Sequence, residues 1–191
     1  MQRNSILVGH VIDKLRELPE QSVHCCITSP PYMNLRNYNT LPQMFGGSPD
    51  CQHEFVNVNK KVQVGSSPLS TLRYGYGRAD GEKYAAADSV VSSGICPKCE
   101  AYWGELGAEP SVNLFVKNLV LVFHEARRVM RKDGLLWVVI GDSMNGSGGA
   151  GGDYNSGGMR EGQPKFSGSQ DPQLKPMDRG GGPERFALAM Q

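Results

Sequence analysis

No apolar run in this sequence approaches the roughly 20 residues that a membrane-spanning helix needs, and its start lacks the basic, apolar and small-residue succession of a secretory signal. A membrane protein is excluded on that pattern, and a cytoplasmic setting is expected. Charge imbalance is missing too. Twenty Lys and Arg stand against nineteen Asp and Glu, a net charge of +1, so any basic surface that meets an anionic partner must be local. There is no internal repeat, and no Gly-Lys-Ser/Thr phosphate loop follows a strand. Five cysteines, an odd number without a secretion signal, point to thiols or metal ligands before disulfides. What remains is a chain of 191 residues, 39% of them hydrophobic, enough for one buried core plus an insertion.

The most informative stretch is Ser22 to Tyr32, where the apolar run Val23 to Ile27 stops in Thr28-Ser29-Pro30-Pro31-Tyr32. The run reads as a buried strand. Neither proline can continue a central strand, so the sheet must end at Thr28 or Ser29. The carbonyls of Ser29 and Pro30 are then left without ladder partners. A hydroxyl, a free carbonyl and the flat face of Tyr32 suit a planar heterocycle with an exocyclic amine: the ring stacks and the amine donates.

Around that stretch the order is strand, helix, strand. Ile6 to Val8 is apolar, Gly9 turns the chain, and Val11, Ile12, Leu15 and Leu18 share one face of a short helix before the strand at Val23. This is the unit of a parallel sheet with right-handed crossovers. A second unit lies downstream, with Val112, Phe115, Val116, Leu119, Val122, Phe123, Ala126 and Val129 at helical spacing. Asp133-Gly134 is expected to close that helix before the strand Leu135 to Ile140, which ends in Gly141-Asp142-Ser143. Ligands of open α/β sheets sit beyond the carboxyl ends of strands, so Ser29 and Asp142 should face one crevice. His124 and the basic residues Arg127 to Lys132 need only the stabilisation of a helix carboxyl terminus, and Cys25 and Cys26 read as core thiols.

Between the units, Met33 to Glu109 is too polar to be core. It carries Cys51-Gln52-His53 and Cys96-Pro97-Lys98-Cys99. A Cys-x-x-Cys turn and a Cys-x-His pair offer Cys51, His53, Cys96 and Cys99 as four ligands for a structural zinc, the alternative being unrelated thiols and a surface histidine. Gly146 to Gly182 is low in apolar residues and is expected to be a mobile loop. Pro183 to Gln191 reads as the first turns of a helix.

Ser29-Pro30-Pro31-Tyr32, with Gly9, the Leu15 to Leu18 helix and the Val23 to Thr28 strand before it, resembles the signature of the DNA amino-methyltransferases. The resemblance covers residues 4–145, with 183–191 as a further stretch. It implies a Rossmann-like, S-adenosylmethionine-dependent methyltransferase fold of the α/β class, present in part. The divisions are 1–32 with the catalytic motif, 33–109 as a zinc-binding insertion, 110–145 as the second helix-strand unit, 146–182 as a Gly-rich loop and 183–191 as a helix start. It further implies that Ser29, Pro30, Pro31 and Tyr32 are catalytic and that Gly9, His10, Thr28 and Asp142 lie at the cofactor. The implied partners are DNA, with its target base flipped out, and a cognate restriction endonuclease. Ser at the first motif position leans towards cytosine N4, with adenine N6 as the alternative. There are two departures. His10 stands where the family commonly has Asp, and no Asp-Pro-Phe with a following Gly-x-Gly occurs, so the chain reads as an amino-terminal fragment expected to be inactive alone. A reading of another class is a non-catalytic, zinc-containing DNA-binding piece.

Overall fold

The computed structural model describes residues 4–33, 40–58, 60–63, 88–91, 93–145, 171–175 and 178–191, with only the backbone course of 60–63 and 88–91. The order is α1 (Val11–Arg16), β1 (Val23–Thr28), β2 (Gln43–Phe45), β3 (Val56–Asn57), β4 (Lys60–Gln63), β5 (Asp88–Val91), β6 (Gly94–Ile95), β7 (Tyr102–Gly104), α2 (Val112–Val129), β8 (Met130–Val138) and α3 (Gly182–Ala189). Among the described residues β1 and β8 form a parallel pair, β2-β7-β6-β3 an antiparallel sheet, and β4-β5 an antiparallel pair. The fold is mixed α/β. Most of the loop expected over 146–182 lies outside the described residues.

The core is built on α2. Its buried stripe of Val112, Phe115, Val116, Leu119, Val122, Phe123, Ala126 and Val129 is the periodicity seen in the sequence. Ser111 caps the helix, its Oγ accepting from Leu114 N–H at 3.3 Å, and Asp171 Oδ2 accepts from Val112 N–H at 2.7 Å. Caps of this kind each contribute about 0.5–2 kcal/mol. At the other end the helix stops at Val129 rather than at Asp133-Gly134. The carbonyls of Arg128 and Val129 accept from Gln21 and Ser22 N–H, so the approach to β1 takes the bonds that a further helical turn would have used. Arg128 also donates to the Leu15 and Leu18 carbonyls, tying α1 to α2. Phe186 of α3 lies against Phe123 with ring centroids 4.9 Å apart.

Two sequence expectations fail here. Met33 to Glu109 is not excluded from the core: Phe45 and Tyr102 join the α2 cluster, and Ala101 and Ala108 are buried. Residue counts over the segment are polar, but these few apolar side chains are spaced so that the small antiparallel sheet faces α2. Conversely, β1 is not a buried strand. Paired residues of parallel strands point the same way, so Cys26, Thr28, Leu136 and Val138 share the α2 side while Cys25, Ile27, Leu135 and Trp137 share the other. That other face is open, with Ile27 77% and Trp137 61% exposed, and Cys25 is exposed rather than core. Ile6 and Val8 are exposed as well and lie outside any strand. Parallel sheets are ordinarily covered on both faces, which is why the apolar run of β1 misled. Among the described residues no helix is long and apolar enough to cross a membrane.

Candidate active site and metal centre

The parallel register places Thr28 opposite Val138, and Val139 N–H donates to Thr28 O at 2.9 Å. The two strands therefore finish level. Ser29 to Tyr32 leaves one end and Gly141 to Ser143 the other, so these segments are neighbours. Ser29 is exposed, Pro30 buried, and Pro31 and Tyr32 half-buried. Ser29 Oγ donates to Tyr32 Oη at 3.3 Å, a long bond that leaves the serine lone pairs open outward.

Two glycines that sequence reasoning missed hold Tyr32. A Cβ on Gly141 would come within 3.0 Å of Tyr32 Cδ2 and Cε2, so one ring face rests on bare backbone at the end of β8. A Cβ on Gly107 would lie 3.0 Å from Tyr32 O and 3.1 Å from Pro31 Cβ, and Gly107 has φ +92°, a conformation that favours glycine. The order of the strands could have flagged Gly141. Nothing local could have flagged Gly107, which approaches from 75 residues down the chain.

The four candidate cofactor residues are differently placed. Gly9, at φ +149°, passes so close to the Lys14 side chain that a Cβ would meet Cε at 2.6 Å. His10 precedes α1, with Nδ1 3.5 Å from Asp13 Oδ2 and its ring edge-on to Phe45 at 5.2 Å. Its Nε2 is buried with no hydrogen-bond partner among the described residues. Thr28 ends β1, half-buried. Asp142 is committed to protein groups: Oδ2 accepts from Gly181 N–H at 3.1 Å and from Arg179 Nε at 3.0 Å, and Oδ1 from Gly182 N–H at 3.2 Å. Burial opposes its ionisation, yet the N–H groups of Gly181, Gly182 and Ser143 with Arg179 outweigh it and hold the carboxyl below its ordinary range. Asp142 thus fastens the start of α3 to the end of β8. Of the four, His10 is turned inward against Phe45 and Asp142 is engaged by Arg179 and the start of α3.

Cys51, His53, Cys96 and Cys99 come together, their ligand atoms all within 4.8 Å of one another. Cys51 Sγ lies 3.9 Å from Cys96 Sγ, and Cys99 Sγ 3.3 Å from His53 Nδ1. An ion bound tetrahedrally at zinc–sulfur distances of about 2.3 Å sets its sulfurs about 3.8 Å apart, so the separation fits. The knuckle is shaped by Glu100 N–H donating to Cys96 O at 2.8 Å and Cys96 N–H to Ala101 O at 2.9 Å. Gly47, at φ +85°, permits it, since a Cβ there would meet Ala101 Cβ at 2.6 Å and Cys99 Sγ at 3.2 Å. Lys117 of α2 reaches Glu100 at 2.7 Å and docks the knuckle on the core.

The thiols differ. Burial resists ionisation of Cys96, but the hydrogen bond with His53 and those from the Glu54, Lys98 and Cys99 backbone bring it down to about 6. The Ser48 backbone leads in lowering Cys99, against burial. Burial, with the neighbouring Cys99 and Cys96, pushes Cys51 up to about 11. His53 is raised, first by its bond to Cys96 and against burial.

The basic residues at the end of α2 lie elsewhere. Arg127, Arg131 and Lys132 rim a groove of about 750 Å³ floored by Phe123, Leu136 and Met190, at the end of the sheet away from Ser29.

The chain is similar to the type II methyltransferase M.SmaI of Serratia marcescens, 37% identical over an alignment covering 54% of this chain and 36% of that protein. It is similar along nearly its whole length to the type II methyltransferase M.Cfr9I of Citrobacter freundii, 28% identical over 98% of this chain and 41% of the relative. M.XycI of Xanthomonas campestris pv. cyanopsidis, another type II methyltransferase, is 25% identical over 100% of this chain and 43% of its own length. The chain spans about two-fifths of the length of the curated relatives it matches. No family model and no solved structure matches it.

Proposed function

We propose that the chain is the motif-bearing part of a DNA methyltransferase that transfers a methyl group from S-adenosylmethionine to the exocyclic N4 of cytosine. The observation that carries this is the clamped Tyr32 beside an outward Ser29 at paired strand ends, in a chain similar throughout to type II methyltransferases. S-adenosylmethionine, when bound, would supply an electrophilic methyl group with a thioether as the leaving group. The residues of this chain act on the target. Tyr32 offers its free ring face to a base taken out of the stack, while Gly141 backs the other face. An amine conjugated to the ring is a poor nucleophile; Ser29 Oγ and the Pro30 carbonyl accept hydrogen bonds from its two N–H groups and steer nitrogen towards tetrahedral geometry, and the one proton that nitrogen loses on methylation leaves to solvent. Pro30 and Pro31 hold those acceptors rigid. The sheet fits part of a Rossmann-like arrangement, and a cognate restriction endonuclease is the partner expected from the resemblance.

The test is to express the whole protein in cells lacking other methyltransferases and to analyse digested nucleosides by mass spectrometry. N4-methylcytosine supports the proposal. N6-methyladenine would move the target to adenine with the same acceptors, and neither base, with folded protein and cofactor present, would favour the DNA-binding reading.

The cluster of Cys51, His53, Cys96 and Cys99 is proposed to hold one structural zinc, whose role is to fasten the β2-β7-β6-β3 sheet. Zinc takes thiolates and neutral imidazole. At pH 7.5 Cys96, at about 6, is already ionised, whereas Cys51, at about 11, is not. Binding at that pH should therefore release at least one proton, and apparent affinity should fall as pH falls, more steeply below about 6 as Cys96 also protonates. Titration calorimetry in buffers of different ionisation enthalpy measures this. Binding without proton release would show that Cys51 is not a ligand.

A further inference from the structure

A carboxylate that the proposed chemistry does not use sits fully buried behind the motif. Glu109 is 0% exposed, and its oxygens are divided between two elements: Oε2 accepts from Gly107 N–H at 2.8 Å and Oε1 from Asn118 Nδ2 at 3.0 Å. Asn118 is itself 1% exposed on the core face of α2, a place where an apolar side chain would serve packing better. Burying a carboxylate and an amide costs free energy that only the hydrogen bonds they make can offset. The group they hold is Gly107, in the left-handed region with φ +92° and pressed on the Pro31–Tyr32 peptide. The turn carrying it is fixed upstream as well, where Ala108 N–H donates to Glu105 O at 3.1 Å and the buried Tyr102 hydroxyl donates to the same carbonyl at 3.1 Å.

We propose that Glu109 is a positioning residue for the base-binding motif. Anchored on α2 through Asn118, its carboxylate holds Gly107 against Pro31 and the Tyr32 carbonyl and so keeps the ring, seated on Gly141, at the height of the base. The proposal rests on reading Ser29 to Tyr32 as that motif. The Tyr32 ring itself is seated on Gly141, so loss of the Gly107 contact frees its backbone to drift while the remainder of the core stands. Misplacement of a positioned group by about 1 Å costs on the order of 10²-fold in rate.

The test uses the whole protein labelled with fluorotyrosine, the Tyr32 fluorine signal being assigned by Tyr32→Phe. In Glu109→Gln the amide nitrogen faces Gly107 N–H or the Asn118 amide, each a donor, and the Tyr32 signal should shift and broaden. The kcat for methyl transfer should fall by about 10- to 100-fold with the KM for S-adenosylmethionine unchanged. In the double variant Glu109→Gln with Asn118→Asp the glutamine oxygen still accepts from Gly107 N–H while its amide nitrogen donates to the new carboxylate on α2, so the bond to α2 is restored with donor and acceptor exchanged, and the variant should recover the wild-type signal and most of the rate. If Glu109→Gln does not fold, Asn118→Leu, which removes the amide donor at similar volume, replaces it with the same readouts. An unmoved Tyr32 signal in the folded variant overturns the proposal. Absence of methyl transfer by the wild type would overturn the enzyme reading alone, since the fluorine signal still decides whether Glu109 positions Tyr32.

Discussion

Ser29→Ala in the whole protein is expected to cut methylated base by about 10²-fold or more while leaving cofactor binding and the fold unchanged. Ser29 is exposed and, among the described residues, donates only the long 3.3 Å bond to Tyr32 Oη, so its removal costs the structure little. What disappears is an acceptor for the target amine, needed only as nitrogen becomes nucleophilic, and the loss should fall on kcat. Tyr32→Ala should behave differently. Stacking on an aromatic side chain contributes about 1–3 kcal/mol per base, so affinity for DNA with an extruded target should weaken together with turnover. Nucleoside mass spectrometry and steady-state kinetics separate the two effects. Wild-type activity in folded Ser29→Ala would remove this serine from the mechanism.

Replacing Cys96 or Cys99 by Ser is the second change with a large expected effect. Purified wild-type protein should hold one zinc per chain, measured by mass spectrometry of the metal, and either variant should lose it. The expected damage reaches further than the ligand loop. β7 follows directly from the Cys96 to Ala101 knuckle and pairs with β2, and through Tyr102 and Phe45 this sheet is part of the core beneath α2. The β2-β7-β6-β3 sheet should therefore lose protection from hydrogen exchange, and the Gly107 turn behind Tyr32 should loosen with it, whereas α1, α2 and the β1-β8 pair persist. Chelation of the wild type should reproduce the pattern. Full metal-free protein with unchanged exchange protection would sink the structural role, and absence of metal after purification without chelators would sink the site.

The open face of the β1-β8 pair bears on both results. Ile27, Leu135, Trp137 and Val139 together make an apolar surface that a parallel sheet ordinarily covers, and the relatives are more than twice as long as the stretch aligned here. Activity measurements accordingly belong to the whole protein.

How much of this was present in the sequence depends on whether the information is local. The stripe on α2, the proline stop after Thr28, the Pro183 start of α3 and the two cysteine pairs are set by neighbours within a few residues, through helical period, missing N–H groups and ligand spacing, and each could be read directly. Tertiary structure decided the rest. The end of α2 moved from Asp133 to Val129 because Gln21 and Ser22 claim its last carbonyls from a hundred residues away. Phe45 and Tyr102 entered the core because β2 and β7 pair and face α2, which average polarity conceals. Asp142 was spent on Arg179 and the start of α3, a commitment invisible until β8 and α3 are side by side. The clamp on Tyr32 joins Gly107, Glu109, Asn118 and Gly141 across three elements, and no short window of sequence holds more than two of them. Residue chemistry along the chain determined which groups could act; the closing of distant segments onto one another determined which of them are free to do so.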